Sequence, residues 1–439
     1  MRRQPAAAGV GRELARSGRR IECYVYIQLP GTTEMVTCGR FEQEPAPGGT
    51  MVGRFVYGQT YRARRDALPI DEVHLPIARQ TYQTTKLRGI FGALRDASPD
   101  FWGRRVIERE LGRTDLTEID YLLHSPEDRA GALSFGRGPV PPGPVWTFNR
   151  VLQLPELLEA ARLLEAEPGV NMPPGLKHLP AILHPGTSLG GARPKNVVED
   201  EDGLWVAKFP LGGDRWNVAV VEASLLSLAR RCGIQTPPTR IERILGRDVL
   251  LIKRFDRESR FGDGERAYAR HRMVSALTVL DADDSPTERQ NWSYVLFADE
   301  LRRWSYREAD DRRELFRRMV FNALVSNTDD HPRNHALIAP GASWQLAPAY
   351  DLNPDPMPGT HERDLAMVCG QFGRRAQRIN LVSQAPRFGL AREEANGVID
   401  EIAATVRAEW EAEVVGHGGT ASDRATIAPA FVDEGFEYQ

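Results

Sequence analysis

The chain has 439 residues, with 57 basic and 60 acidic side chains and a formal net charge of −3, so bulk charge does not make it a polyanion binder. Its 41% hydrophobic and 27% charged residues are ordinary for a globular protein, and at roughly 100–200 residues per domain the length predicts two to four structural units. No stretch approaches the ~20 apolar residues that span a bilayer, and the Arg-rich first twenty residues lack the apolar core of a signal peptide. The expected location is therefore the cytoplasm, with no membrane partner. The scattered Cys23, Cys38, Cys232 and Cys369 fit buried thiols in a reducing compartment.

Residues 1–21 read as a disordered arm. ECYVYIQL (22–29) alternates and is rich in β-formers, which predicts a strand, with TEMVTCGRF (33–41) as its hairpin partner and GRFVYGQTYRA (53–63) as a third strand region. A helical apolar pattern runs through 86–112. Residues 22–135 thus form a small N-terminal unit, closed by the Pro/Gly-rich connector 136–146. A helix follows at 154–167, then a hairpin of RPKNVV, the acidic turn EDEDG, and LWVAKF. An amphipathic helix spans 218–233 and stops at Gly233, and 239–256 reads as another antiparallel pair, so 150–256 forms the second unit. From about 270 the pattern is mostly helical, with helices at 312–327 and 391–415 and one short hairpin, HALIA and WQLAPAYD. The third unit is taken as 257–420, leaving 421–439 as an unassigned tail.

Residues 327–351 carry the clearest chemistry: N-T-D-D-H-P-R-N, a hairpin, then Y-D. An Asp, an Asn five residues on, and a second Asp behind a hairpin is the arrangement phosphoryl transfer needs. A hydroxyl nucleophile must lose its proton as it attacks, and Asp329 is the base expected to take it. Mg²⁺ prefers hard oxygen ligands from one or two side chains plus phosphates, and Asn334 and Asp351 supply them. The segment taken alone also fits a surface turn rich in turn formers. His331 is expected near the phosphates or nucleotide, and Asp330 reads either as a second base or as part of a solvated turn.

GTSLGGARPK (186–195) is Gly-rich without being a Walker loop or G-x-G-x-x-G, so it reads either as a turn or as a phosphate cradle in which Gly190 and Gly191 let backbone N–H groups approach the ligand. Lys208 stands in the strand that follows, and Glu222 in the next helix, where a carboxylate can pair with it. Only five lysines occur in this Arg-rich chain, and three of them (Lys195, Lys208 and Lys253) fall between residues 195 and 253. LLIKRFD (250–256) takes the place of the strand that becomes a kinase hinge, with the backbone at Lys253, Arg254 and Phe255 meeting the adenine.

Together TSLGGARPKNVV (187–198), WVAKFP (205–210), the Glu222 helix, IKRFDR (252–257), NTDDHPRNHALI (327–338) and LAPAYDL (346–352) resemble the HipA family of serine/threonine kinases, the toxin halves of bacterial toxin–antitoxin pairs. GRFVYGQTY, DASPDFWGRRVI and EDRAGALSF (127–135) resemble that family's first domain. The resemblance spans about 22–415. It implies an α+β protein: a two-lobed protein-kinase-like fold with an additional small N-terminal α/β subdomain and a mostly helical C-terminal lobe. It implies ATP and Mg²⁺ as cofactors and nucleotide contacts at Ser188, Gly190, Gly191, Ala192, Arg193, Pro194, Lys195, Lys208, Lys253, Arg254, Phe255, His331, Pro332, Arg333, Asn334, Tyr350 and Asp351. Asn334 and Asp351 fall on the metal positions and Asp329 on the proton acceptor. Ser188 matches a serine that the family autophosphorylates. The implied partners are a helix-turn-helix, HipB-like antitoxin that carries any contact with DNA, and a translation-related substrate such as an aminoacyl-tRNA synthetase. Asp330 and Arg333 depart from the small residue and the lysine common at those places. A small-molecule phosphotransferase and a non-catalytic scaffold of antitoxin-mediated repression are the alternatives.

Overall fold

The computed structural model describes residues 20–141, 143, 148–165, 193–262, 265–356, 363–431 and 434–437. The alternating N-terminal segments form β1 (Ile21–Gln28), β2 (Met35–Pro45) and β3 (Met51–Tyr57), joined by β4 (Tyr82–Thr84) and β5 (Leu133–Gly136). They make one antiparallel sheet in the order β4-β3-β2-β1-β5. The helix expected over 86–112 is broken. Leu87, Arg88 and Gly89 all have positive φ, Pro99 cannot donate to a helix, and Asp100 caps a fresh start at α1 (Phe101–Leu111) by accepting from the Gly103 amide. Helix α2 (Glu118–His124) opens with a capping box at Thr117 and Asp120.

The second unit begins with β6 (Asn149–Arg150) and α3 (Leu154–Glu165). Its antiparallel core is β7 (Lys195–Asp200), β8 (Gly203–Lys208), β9 (Thr239–Ile244) and β10 (Arg247–Lys253), in the order β6-β7-β8-β10-β9. Alternation sorts the faces. Trp205, Ala207, Val249 and Leu251 pack outward on α3 and on Trp102 of α1, and Val206 and Lys208 point the other way. Helix α4 (Val218–Arg231) is capped by Asn217 and stops before Gly233 at φ +75°. It lies against the large lobe. The Asn217 amide donates to Asp423, Ser224 Oγ donates to the Glu413 carbonyl (3.2 Å), and Arg231 pairs with Glu413 and Glu409.

A hairpin follows that the sequence reading did not assign, β11 (Arg257–Gly262) with β12 (Glu265–Arg270), so the expected helical third unit begins as strand. Then come β13 (Arg272–Ser275), α5 (Tyr294–Trp304), α6 (Glu308–Leu324), β14 (Ala336–Ala339), β15 (Gln345–Leu346) and α7 (Arg392–Gly416). The strand expected over WQLAPAYD lasts two residues, because Pro348 offers no ladder donor and Asp351 turns to φ +60°. Residues 421–427, expected as part of a tail, form helix α8 (Ala421–Ile427), and its Asp423 is the residue that holds Asn217.

Candidate active site

Lys208 is the junction of the two lobes. Its Nζ donates to Glu222 Oε1 at 2.6 Å and to Asp351 Oδ1 at 2.7 Å. One ammonium against two carboxylates leaves a net negative charge, which a low-dielectric site tolerates poorly unless a further cation joins it. Burial pulls the Lys208 pKa down, but Asp351 and Glu222 outweigh it and hold the amine charged above its usual range. Burial pushes Asp351 up, yet Lys208, with Lys195 behind it, keeps this carboxyl below its ordinary value. Glu222 is dominated by its burial and stands raised. Both hydrogen bonds of Asp351 fall on Oδ1, so Oδ2 has no protein partner among the described residues. The left-handed backbone at this non-glycine residue is the kind of strain that functional sites hold.

The 327–334 segment lies on the other wall of the cleft. Asp329 is exposed there. Partial shielding raises its pKa, His331 opposes that, and the charges of Asp351 and Asp330 add to it. Asn334 Nδ2 donates to the Asp329 carbonyl at 3.2 Å, while Asn334 Oδ1 is buried without a partner among the described residues. This orphaned oxygen and the unengaged Asp351 Oδ2 are hard donors and fit a divalent cation such as Mg²⁺. Tyr350 Oη donates to the Arg333 carbonyl at 2.7 Å, tying the segment before Asp351 to the loop that carries Asn334. His331 Nδ1 accepts from the Arg333 amide at 3.2 Å and Pro332 is buried, so both shape the turn.

Other expected residues take different places. Ser188, Gly190, Gly191 and Ala192 lie outside the described residues. Arg193 forms a fork with Asp214 (3.0 and 2.8 Å), and the Pro194 carbonyl accepts from the Phe209 amide at 3.0 Å. Lys195 pairs in register with Lys208, but its buried amine is bound to Asp100 at the start of α1. The Lys253 side chain does not join the cleft. Its amine donates to the Asp202 carbonyl and lies 4.8 Å from the Trp205 ring, at the opposite end of β8 from Lys208. The Arg254 side chain is fully buried in an ion cluster, and the backbone amides of Lys253 and Arg254 already donate to the Pro238 and Leu204 carbonyls at 2.9 Å. Phe255 stacks on Tyr350 (5.8 Å, 29°) and packs against Val206 of the small lobe and Ile338 of the large one.

Asp330 is neither a second base nor part of a solvated turn. It is 1% exposed and accepts from Tyr294 Oη, from Asn322 Nδ2 (2.7 Å) and from His335 Nε2 (2.7 Å). The aspartates at 329 and 330 therefore divide their roles: one faces the cleft and the other anchors the loop to α5 and α6.

The sequence reading also missed the cluster around Arg254. This guanidinium bonds Asp128 Oδ1 (2.5 Å) and both oxygens of Asp256 (2.9 and 2.8 Å). Asp256 also accepts from Arg257 (2.7 Å) and from the Gly131 amide (2.9 Å). The acidic and basic residues of EDRAG and IKRFDR, dense in charge beside apolar neighbours, were the available signal.

A small sheet with a buried lysine–glutamate pair, a hinge strand, and a helical lobe with Asp, Asn and Asp at the cleft define a two-lobed protein of kinase-like fold. The chain matches the HipA-like C-terminal domain over residues 187–410 and the HipA N-terminal domain over 34–136, and it belongs to the HipA-like family. The HipA chain in a Shewanella oneidensis complex of HipA, HipB and operator DNA superposes with a TM-score of 0.67 at 17% identity, covering 94% of this chain and all of that one. A Sinorhizobium fredii protein named "Putative kinase Y4mE" is 26% identical over 323 residues, 68% of this chain and 71% of its own length. A Haemophilus influenzae protein of like name is 25% identical over 184 residues, 38% of this chain and 52% of its own. Among the described residues no helix is long and apolar enough to cross a membrane.

Proposed function

We propose that this chain is an ATP- and Mg²⁺-dependent serine/threonine protein kinase, the toxin partner of a HipB-like antitoxin, acting on a translation-related protein such as an aminoacyl-tRNA synthetase and on its own Ser188. The observation that carries the reading is Lys208 held between Glu222 and Asp351. Lys208 would bind phosphate oxygens of ATP from the small lobe, with Glu222 fixing its position. Asn334 and Asp351 would hold Mg²⁺, which when bound neutralises phosphate charge. Asp329, exposed on the opposite wall, accepts the proton of the incoming hydroxyl. A phosphate on Ser188 would add about −1.5 to −2 charge to a loop built for phosphate, and so oppose ATP binding. Support for an antitoxin partner comes from the Shewanella relative, whose structure is described as a complex with HipB and DNA.

Mass spectrometry of protein incubated with Mg·ATP tests this. Wild type should carry phosphate on Ser188, and Asp329→Ala none while still binding ATP. Equal phosphorylation of the two would remove Asp329 from the mechanism.

The raised pKa of Asp329 has a sign that can be checked. A base must be deprotonated to act, so kcat/KM should fall on the acid side at a pH above the ordinary aspartate value of about 3.9. A pH–rate profile whose acid limb lies at or below that value would contradict the assignment.

A further inference from the structure

Arg95 is a guanidinium held only by two long ion pairs. It projects from the turn Gly92–Asp96 of the N-terminal unit, with its side chain only 14% exposed. Among the described residues its side chain makes no hydrogen bond. Its nearest carboxylates, Glu118 and Asp284, are both 3.9 Å away, and its Nη1 is shut off from solvent with no acceptor. Both carboxylates are engaged elsewhere: Glu118 by Arg104 (2.9 and 2.5 Å) and Asp284 by Arg333 (3.1 and 2.7 Å). Three guanidinia thus share two acids, and the cluster carries an excess positive charge.

An N–H group removed from water without an acceptor is costly and buried polar groups are normally satisfied, so Arg95 Nη1 calls for a partner. Burial first, then the charges of Arg333 and Arg104, push Arg95 down to about 9 against the opposing pull of Glu118 and Asp284. Arg88, exposed at φ +62° beside Leu87 at φ +49°, extends the basic surface and is close enough for its charge to act on Glu118. The cluster ends on Arg333, four residues beyond Asp329.

We propose that Arg95, with Arg88 and Arg333, receives an anionic side chain of the protein substrate, a carboxylate or a phosphate, close to the acceptor hydroxyl. The N-terminal unit then takes part in choosing the substrate. A planar guanidinium meets such an anion with two parallel hydrogen bonds, which selects geometry as well as charge. The proposal rests on the kinase reading for the anion's purpose, not for its binding.

The test uses full-length Asp329→Asn protein and fluorescence anisotropy, with no phosphoryl transfer required. The probes are labelled serine peptides flanked by glutamate, phosphoserine or glutamine. Glutamate and phosphoserine peptides should bind at least about tenfold tighter than the glutamine peptide. Arg95→Met should abolish that preference. Arg88→Gln, a surface change that leaves the fold alone, should reduce it. Equal binding of all three peptides would mean that a buried water satisfies Arg95 and would overturn the proposal. So would a preference that survives Arg95→Met, or RNA displacing the peptides through the same arginines. Wild type that transfers no phosphate from ATP to any protein would instead defeat the kinase reading and leave the peptide result standing.

Discussion

Asp351→Asn is expected to reduce phosphoryl transfer by about two to three orders of magnitude while leaving the protein folded. The two consequences separate because of the charge count around Lys208. The native site sets one ammonium against Glu222 and Asp351. Neutralising Asp351 leaves a balanced pair, so the fold loses little. Chemistry loses a hard oxygen donor at the phosphates, and in a reaction catalysed by positioning and electrostatics that loss is direct. Lys208→Met should abolish transfer and also destabilise, since Glu222, 1% exposed, is left without its cation. The measurements are single-turnover transfer from ATP and denaturant unfolding, with growth arrest on expression as a cellular readout that should likewise depend on Asp351. Transfer by Asp351→Asn within tenfold of wild type would remove this carboxylate from the site.

The second large effect concerns stability. Asp256→Asn should cost about 3–5 kcal/mol, because it leaves two buried guanidinia, those of Arg254 and Arg257, with Asp128 as their main remaining counter-charge. The loss should fall on the seam between the first unit and the hinge, since Asp128, Arg129 and Gly131 meet the cluster from the N-terminal side. Burial pushes Asp256 upward, but Arg254 and Arg257 override it and depress its pKa strongly. A depressed carboxyl contributes stability that is present above its unfolded pKa of about 3.9 and is lost as pH falls through the lower folded value. The gap between wild type and Asp256→Asn should therefore be full at neutral pH and narrow only in strong acid. Unfolding free energies within about 1 kcal/mol of each other at pH 7 would show that the cluster does not hold the seam.

The legible parts of this molecule were those with a period or a spacing. Alternation marked β1 to β3 and the β7–β8 hairpin, and the helix bearing Glu222 announced its end with Gly233. The fold class followed from the family resemblance that these motifs carry together. The β11–β12 hairpin escaped because RESRFG and ERAYAR carry charges where a half-buried strand would show apolar residues. The interrupted helix at 86–112 kept its apolar rhythm across a break made by backbone conformation. In the candidate site, spacing could suggest that 208, 222, 329, 334 and 351 belong together, but not where a side chain points. That is why Asp330 read as a possible second base beside Asp329. Long-range partners such as Asp100 for Lys195, or Asp284 for Arg333, leave no local signature.

The placement of α4 has a consequence for control. Many two-lobed enzymes can be switched off by swinging the glutamate-bearing helix outward like a door. Here that door is bolted to the frame at both ends, through Asn217 to Asp423 and through Arg231 to Glu409 and Glu413, with Ser224 fastened in between. Opening it would break these contacts with α7 and α8, so the large lobe helps to hold Glu222 against Lys208.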